Sequence, residues 1–169
     1  MYKNKGVLRN LFIGFLGIII LIALIGTLNK IKIIEVEQIS YNATLEQLWE
    51  LWEFDKRKAW DSSLDWVEAD GKFELGQTGL LKLKDQPPRR FEIIEFEINK
   101  LYTDRFYLPL GGKMDWQHSL EKTGNDIKIK WSVTVNGPTA LMLLPIMKTI
   151  LKEELPGTVE KFIKIAETK

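Results

Sequence analysis

His118 is the only histidine in the chain, and its neighbours define the chemistry on offer. In Lys113 to Leu120, the residues Met114, Trp116, His118 and Leu120 alternate with Lys113, Asp115, Gln117 and Ser119. Alternation of this kind places the two sets on opposite faces of a strand. His118 therefore shares an inward face with Met114 and Trp116. An imidazole that titrates near neutrality can serve as a general acid or base, or can orient a polar group of a ligand. It can equally pack inside a core. A lone histidine without a carboxylate partner is weak ground for catalysis, and the acids do not converge in this reading. Asp115 faces away from His118, and Glu95 faces away from Phe96. Asp104 reaches the inward face in only one register of its strand, with Arg105 and Tyr107 then pointing outward. The absence of cysteine excludes a thiolate nucleophile, a disulfide and a thiolate metal site. With one histidine a zinc site would be unusual, so no metal and no cofactor is expected. No Ser-His-Asp order or phosphate-cradling glycine loop is visible.

The apolar residues that could wall a site are aromatic-rich. Trp116 is the leading candidate, with Trp131 and Met142 behind it, and Met114, Phe96 and Phe106 on inward faces. The six tryptophans are spread over the chain and serve chiefly as core volume.

The elements that position these residues follow from periodicity. Residues 31–39 read as a strand. Leu45, Leu48, Trp49 and Trp52 recur at helical spacing, which predicts about three turns of amphipathic helix. Thr44 and Gln47 form a capping box at its start. The same Asn42-Ala43-Thr44 is a glycosylation sequon, though a cap explains it more simply. Asp55 to Lys58 reads as a solvated charged turn. Short strands follow at 64–70, 79–85, 90–98 and 101–108. In these, Ile94, Phe96 and Ile98 share one side, as do Tyr102, Phe106 and Leu108. Gly124-Asn125 turns strand 113–120 into strand 126–136, where Ile127, Ile129, Trp131, Val133 and Val135 share a face. Such alternation means an antiparallel sheet with one wet and one buried face. Asn136-Gly137-Pro138 then starts a helix reaching Thr168, in which Pro145 and Pro156 predict kinks or breaks. The order is strand, helix, about six antiparallel strands and a long helix. It implies an α+β fold with a curved sheet wrapped around the last helix.

Ahead of this, Leu11 to Leu28 holds eighteen residues without charge or proline, close to what a bilayer requires. It exceeds a signal-peptide core and lacks a small-residue cleavage site. The expected domains are a 1–30 transmembrane anchor and a 31–169 folded domain. Residues 1–30 hold four bases and no acid. Taking those four from the 24 bases leaves 20 against 23 acids in the body. That balance disfavours a nucleic-acid partner. The bases before the span (Lys3, Lys5, Arg9) slightly outweigh Lys30 and Lys32 after it. This predicts a cytoplasmic N-terminus and an extracytoplasmic domain.

The motif order resembles the polyketide cyclase/dehydrase branch of the START-like (SRPBCC) superfamily over residues 32–168. The residues concerned are Asn42-Ala43 before a helix with Leu48-Trp49, Trp60-Asp61-Ser62, and Gly76-x-x-Gly79. Trp116-x-His118-x-Leu120 and Val135-Asn136-Gly137-Pro138 complete the series. The resemblance implies a helix-grip fold with a deep apolar cavity between sheet and last helix. It also implies a hydrophobic small molecule or lipid as ligand, with catalysis in a minority of members. Three functions stay open: a membrane-tethered binding protein, a cyclase or dehydratase using His118, and an interaction module with a filled cavity. Oligomeric state is not encoded in any feature of the sequence.

Overall fold

A computed structural model describes residues 4–168. The first helix, α1, spans Asn4–Leu28. Its segment Gly6–Leu28 is long and apolar enough to cross a membrane, and almost all of it is exposed. The helix starts earlier than the charge-free run, so Arg9 lies within it.

β1 (Ile31–Ser40) begins three residues after α1 ends. Thr44 then caps α2 (Leu45–Glu50): Gln47 N donates to Thr44 Oγ1 at 3.2 Å and Thr44 N donates to Gln47 Oε1 at 2.7 Å. The capping box is as expected, but the helix is six residues rather than three turns. Beyond Glu50 the backbone tightens into three-residue turns, with Trp52 N on Trp49 O and Glu53 N on Glu50 O. This puts Leu51 and Trp52 into the core. A one-turn helix, α3 (Arg57–Trp60), follows.

Six strands complete the sheet: β2 (Leu64–Ala69), β3 (Thr78–Leu83), β4 (Arg89–Glu97), β5 (Leu101–Tyr107), β6 (Lys113–Thr123) and β7 (Asp126–Asn136). The spatial order is β1-β7-β6-β5-β4-β3-β2, antiparallel throughout. The faces of β6 and β7 follow the alternation of their sequences, with Met114, His118, Leu120 and Ile127 through Val135 buried. Two bulges overturn the simple reading elsewhere. In β4 the register shifts between Ile93 and Glu95. Phe91 and Ile93 therefore face the core in place of Ile94, and Ile98 is exposed. In β2, where Leu64 and Trp66 alternate with Asp65 and Val67 in the sequence, a shift between Leu64 and Trp66 lets Val67 pack on the core. An extra residue in one strand inverts every side chain beyond it.

α4 (Ala140–Glu167) runs across the concave face, continuous through both Pro145 and Pro156. The expected breaks are absent, although each proline removes an amide donor. Its second half carries Leu151, Leu155, Val159, Phe162, Ile163 and Ala166 into the core. Phe162 stacks on Trp52 at 5.8 Å and meets Trp60 and Trp131 edge-on at 5.4 Å each.

Candidate functional site

The site is built where β5 and β6 pass beneath α3 and α4. Register places His118 between Tyr102 on β5 and Trp131 on β7, and places Asp104 opposite Trp116. The His118 ring lies flat on Tyr102, centroids 4.4 Å apart and planes within 4°, and meets Trp131 edge-on at 4.7 Å. Residues two apart on one strand share a face, so Asp104 lies beside Tyr102 and its Oδ1 is 3.7 Å from His118 Nδ1. That distance is too long for a hydrogen bond.

Arg57 closes the cluster from above. Its Nη1 donates to Asp104 Oδ2 at 3.2 Å and its Nε donates to Asp61 Oδ2 at 3.4 Å. The guanidinium also lies over the Trp60 ring, 5.5 Å from its centroid. Asp61 is in turn held by Ser63, whose hydroxyl donates to Oδ1 at 2.6 Å. Trp60 is fixed by its own Nε1–H, which donates to Leu51 O at 2.6 Å.

Two sequence expectations are corrected here. Arg57 belongs to the run read as a solvated turn, yet it is buried. A guanidinium is tolerated inside only where carboxylates meet it, and α3 supplies Asp61 four residues on. The acids also do converge, because Asp104 takes the inward register and is fully buried. Asp115 faces away from His118 as expected, in a bidentate pair with Arg105 at 2.7 and 2.8 Å.

Burial sets the protonation states. It pushes the His118 imidazole well below its ordinary value, and the nearby Arg57 cation pushes it further. His118 is thus neutral at physiological pH. Burial raises the Asp104 carboxyl, while Arg57 pulls it partly back. Burial opposes the Arg57 charge, but Asp104, Tyr102 and Asp61 outweigh it and hold the group protonated.

A cavity of about 80 Å³ opens against this cluster. It exceeds several times the roughly 10–15 Å³ that one ordered water needs. It is smaller than the deep cavity that the resemblance implies, because Trp52, Trp60, Trp131 and Phe162 fill much of the grip. Met114, Trp116, His118, Trp131 and Phe106 line it, together with Arg57, Asp61 and Arg89. Phe96 and Met142 do not. Phe96 packs on Trp49 and Phe73, and Met142 is 66% exposed on the outer side of α4.

Several buried polar atoms around the cavity lack a hydrogen-bond partner: Trp116 Nε1, Trp131 Nε1, His118 Nδ1 and Asp104 Oδ1. Buried polar atoms are rarely left unpaired. Trp116, Trp131 and His118 line the cavity beside the Arg57 cation. Among the described residues no group of three or more His, Cys, Asp or Glu is arranged to hold a metal.

A seven-stranded antiparallel sheet gripping one C-terminal helix is shared with many solved structures. One is protein MLL2253 from Mesorhizobium loti, 16% identical, with a TM-score of 0.64 over 83% of this chain and 98% of that one. Norcoclaurine synthase from Thalictrum flavum, solved with dopamine and hydroxybenzaldehyde, is 14% identical with a TM-score of 0.64, over 85% of this chain and 90% of that one. The di-domain ARO/CYC StfQ from the steffimycin biosynthetic pathway is 10% identical with a TM-score of 0.63, over 79% of this chain and 50% of that one. The chain has the helix-grip fold. The START-like resemblance read from the motifs thus holds for the architecture. No protein-family model matches the sequence, and no curated protein matches it either. In the helix-grip frame the cavity lies between sheet and α4, as the order of elements implies.

Proposed function

We propose that this chain is a membrane-tethered binding protein for a hydrophobic small molecule or lipid, held between the sheet and α4 without chemical conversion. The observation that carries this reading is the cavity itself: aromatic and aliphatic walls ending on Arg57, Asp61 and His118. Apolar walls with a few convergent polar groups are the usual make-up of a small-molecule site. The walls supply affinity by burial, and those polar groups select a ligand whose head forms hydrogen bonds. α1 is the tether, and it holds the cavity where membrane-dissolved compounds are concentrated.

The test starts with the full chain purified in mild detergent. Organic extraction and mass spectrometry should recover a bound hydrophobic compound, and fluorescent fatty acids should be taken up saturably. Replacing Trp116 with Arg should block uptake. A chain that yields no compound and takes up none of the probes rules the binding reading out.

A second reading draws on Asp104 beside His118 and on the enzymes among the similar folds. Here a neutral imidazole would move a proton on a hydrophobic carbonyl compound. His118→Gln separates the two. Turnover lost with affinity retained supports catalysis; affinity and product unchanged removes it.

A further inference from the structure

The polypeptide between α1 and the folded domain leaves almost no slack. Gly137 N donates to Gly26 O at 2.7 Å, and a Cβ at Gly26 would come within 2.5 Å of Gly137 O. Gly137 itself has φ +113, and a Cβ there would lie 2.5 Å from Gly112 Cα. The end of α1, the turn into α4 and the Pro109–Gly111 turn are thus packed backbone to backbone. Gly26 sits two residues from the end of the apolar helix, the level at which a spanning helix leaves the hydrocarbon.

Three exposed apolar side chains lie near that junction, although Ile98 and Leu75 are exposed to a similar degree elsewhere in the domain. Leu110, adjoining Gly111 and Gly112, is 78% exposed, while Met142 is 66% and Ile146 62% exposed. Leu110 holds φ 58, a left-handed backbone that leucine seldom adopts. Met142, Ile146 and Ile150 recur at four-residue steps, so they form one stripe along α4, about 12 Å long. Lys148 and Lys152, two residues beyond Ile146 and Ile150, are exposed on the other side of the helix, and exposed Glu153 continues the line of the stripe. Leu151, next to Ile150, already lines the cavity. Single exposed leucines are ordinary on a protein surface. An exposed apolar stripe along one side of a helix is a feature of helices that lie in a membrane interface.

We propose that the first half of α4 and the Leu110 turn are immersed in the headgroup region of the membrane that α1 crosses, which places the cavity one helical turn from the lipid. This rests on the tether reading above. Lipid is the occupant because the stripe starts at the rigid junction with α1, whose own last turns expose Leu24 and Ile25.

The chain has no cysteine, so single cysteines carry a site-specific fluorophore without further changes. Leu16→Cys (mid-span), Ile146→Cys, Leu110→Cys and Lys122→Cys (the far end of β6) would each be labelled with NBD. The full-length chain would then be reconstituted in phosphatidylcholine–phosphatidylglycerol vesicles. Quenching would be read with shallow and deep nitroxide lipids and with aqueous iodide. The labels at 146 and 110 should emit at shorter wavelength and lose most fluorescence to the shallow lipid nitroxide. Position 16 should respond to the deep nitroxide, and position 122 to iodide alone. If position 16 is quenched by lipid while 146 and 110 answer only to iodide, the immersion is overturned and the tether stands. Positions 146 and 110 shielded from both quenchers would mean a protein partner or second copy covers the stripe, which also overturns it. Position 16 open to iodide overturns the tether reading and the immersion with it.

Discussion

The two halves of α4 have the same helical spacing of apolar residues and opposite surroundings. Leu151, Leu155, Val159, Phe162, Ile163 and Ala166 are buried, whereas Met142, Ile146 and Ile150 are exposed. The exposed three lie on the side of α4 away from Ala140, Leu144 and Met147, which turn to the core. Beneath the second half lie Trp131 of β7, Trp60 of α3 and Trp52 just after α2, and its end is latched by Glu167. That carboxylate accepts from Ser40 Oγ at 2.7 Å and from the Tyr41 and Asn42 amides at 3.0 and 3.3 Å. The first half lies by the end of α1 instead. Amphipathic spacing says that a helix has an apolar side; it does not say what that side meets.

Substitutions can break or sharpen this contrast. Phe162→Ala should have the largest effect, costing about 4 kcal/mol through the cavity it leaves among three tryptophans. Denaturant unfolding of the full chain in detergent, followed by tryptophan emission, reads it. A loss under 1 kcal/mol would mean the aromatic cluster can collapse around the gap.

A pH series probes His118 beneath the same half. Its pKa is lowered in the folded chain, so between that value and the unfolded value of about 6.5 only the unfolded state takes up the proton. Its contribution is complete above about pH 6.5 and is lost on acidification, by up to about 1.4 kcal/mol per pH unit. Asp104 contributes with the opposite sign at lower pH, because its raised pKa favours the folded state in acid. Unfolding of His118→Phe beside the parent chain isolates the histidine: the variant should lack the slope just below pH 6.5. Parallel profiles would show that folding leaves the His118 pKa unshifted.

Glu167→Gln should cost about 1 kcal/mol, since an amide oxygen replaces a carboxylate that takes three donors. The lowered pKa of Glu167, caused first by the Ser40 hydroxyl, makes the latch strongest above the usual carboxylate range. It fades as pH falls, and the variant should lack that acid-side loss in a urea-unfolding series. The smallest effect belongs to the exposed side. Ile146→Ser should change stability in detergent by less than about 0.5 kcal/mol. A loss like that of Phe162→Ala would place the stripe in the core.

The legibility of the site follows the same division. Inward faces of β6 and β7 were readable because their alternation is unbroken, so Met114, Trp116, His118 and Trp131 could be grouped in advance. Phe96 does face inward, opposite Tyr102, but at the Trp49–Phe73 end of the sheet, away from the cavity; the β4 bulge that misplaced Ile94 carries no glycine or proline to announce it. Met142 was misplaced because it lies on the outward side of α4, while Ala140, Leu144 and Met147 of the same half turn to the core. Arg57 and Asp104 were missed although traces existed. Asp104 alternates with Tyr102 and Phe106, and Arg57 stands four residues before Asp61 and three before Trp60. A charge among aromatics on one face signals a buried ion pair only when its partner is known, and that partner is 47 residues away.

The local patterns by themselves determined the apolar N-terminal helix, the strand-rich order, the Thr44 cap and the long last helix, since each depends on neighbours within a few residues. The tertiary structure alone decided that Asp104, Arg57 and His118 meet, that Gly26 seats on Gly137, and that the Met142–Ile146–Ile150 side of α4 is left bare. These are contacts between distant segments. Their energies come from desolvation and close packing, which no short window of sequence contains.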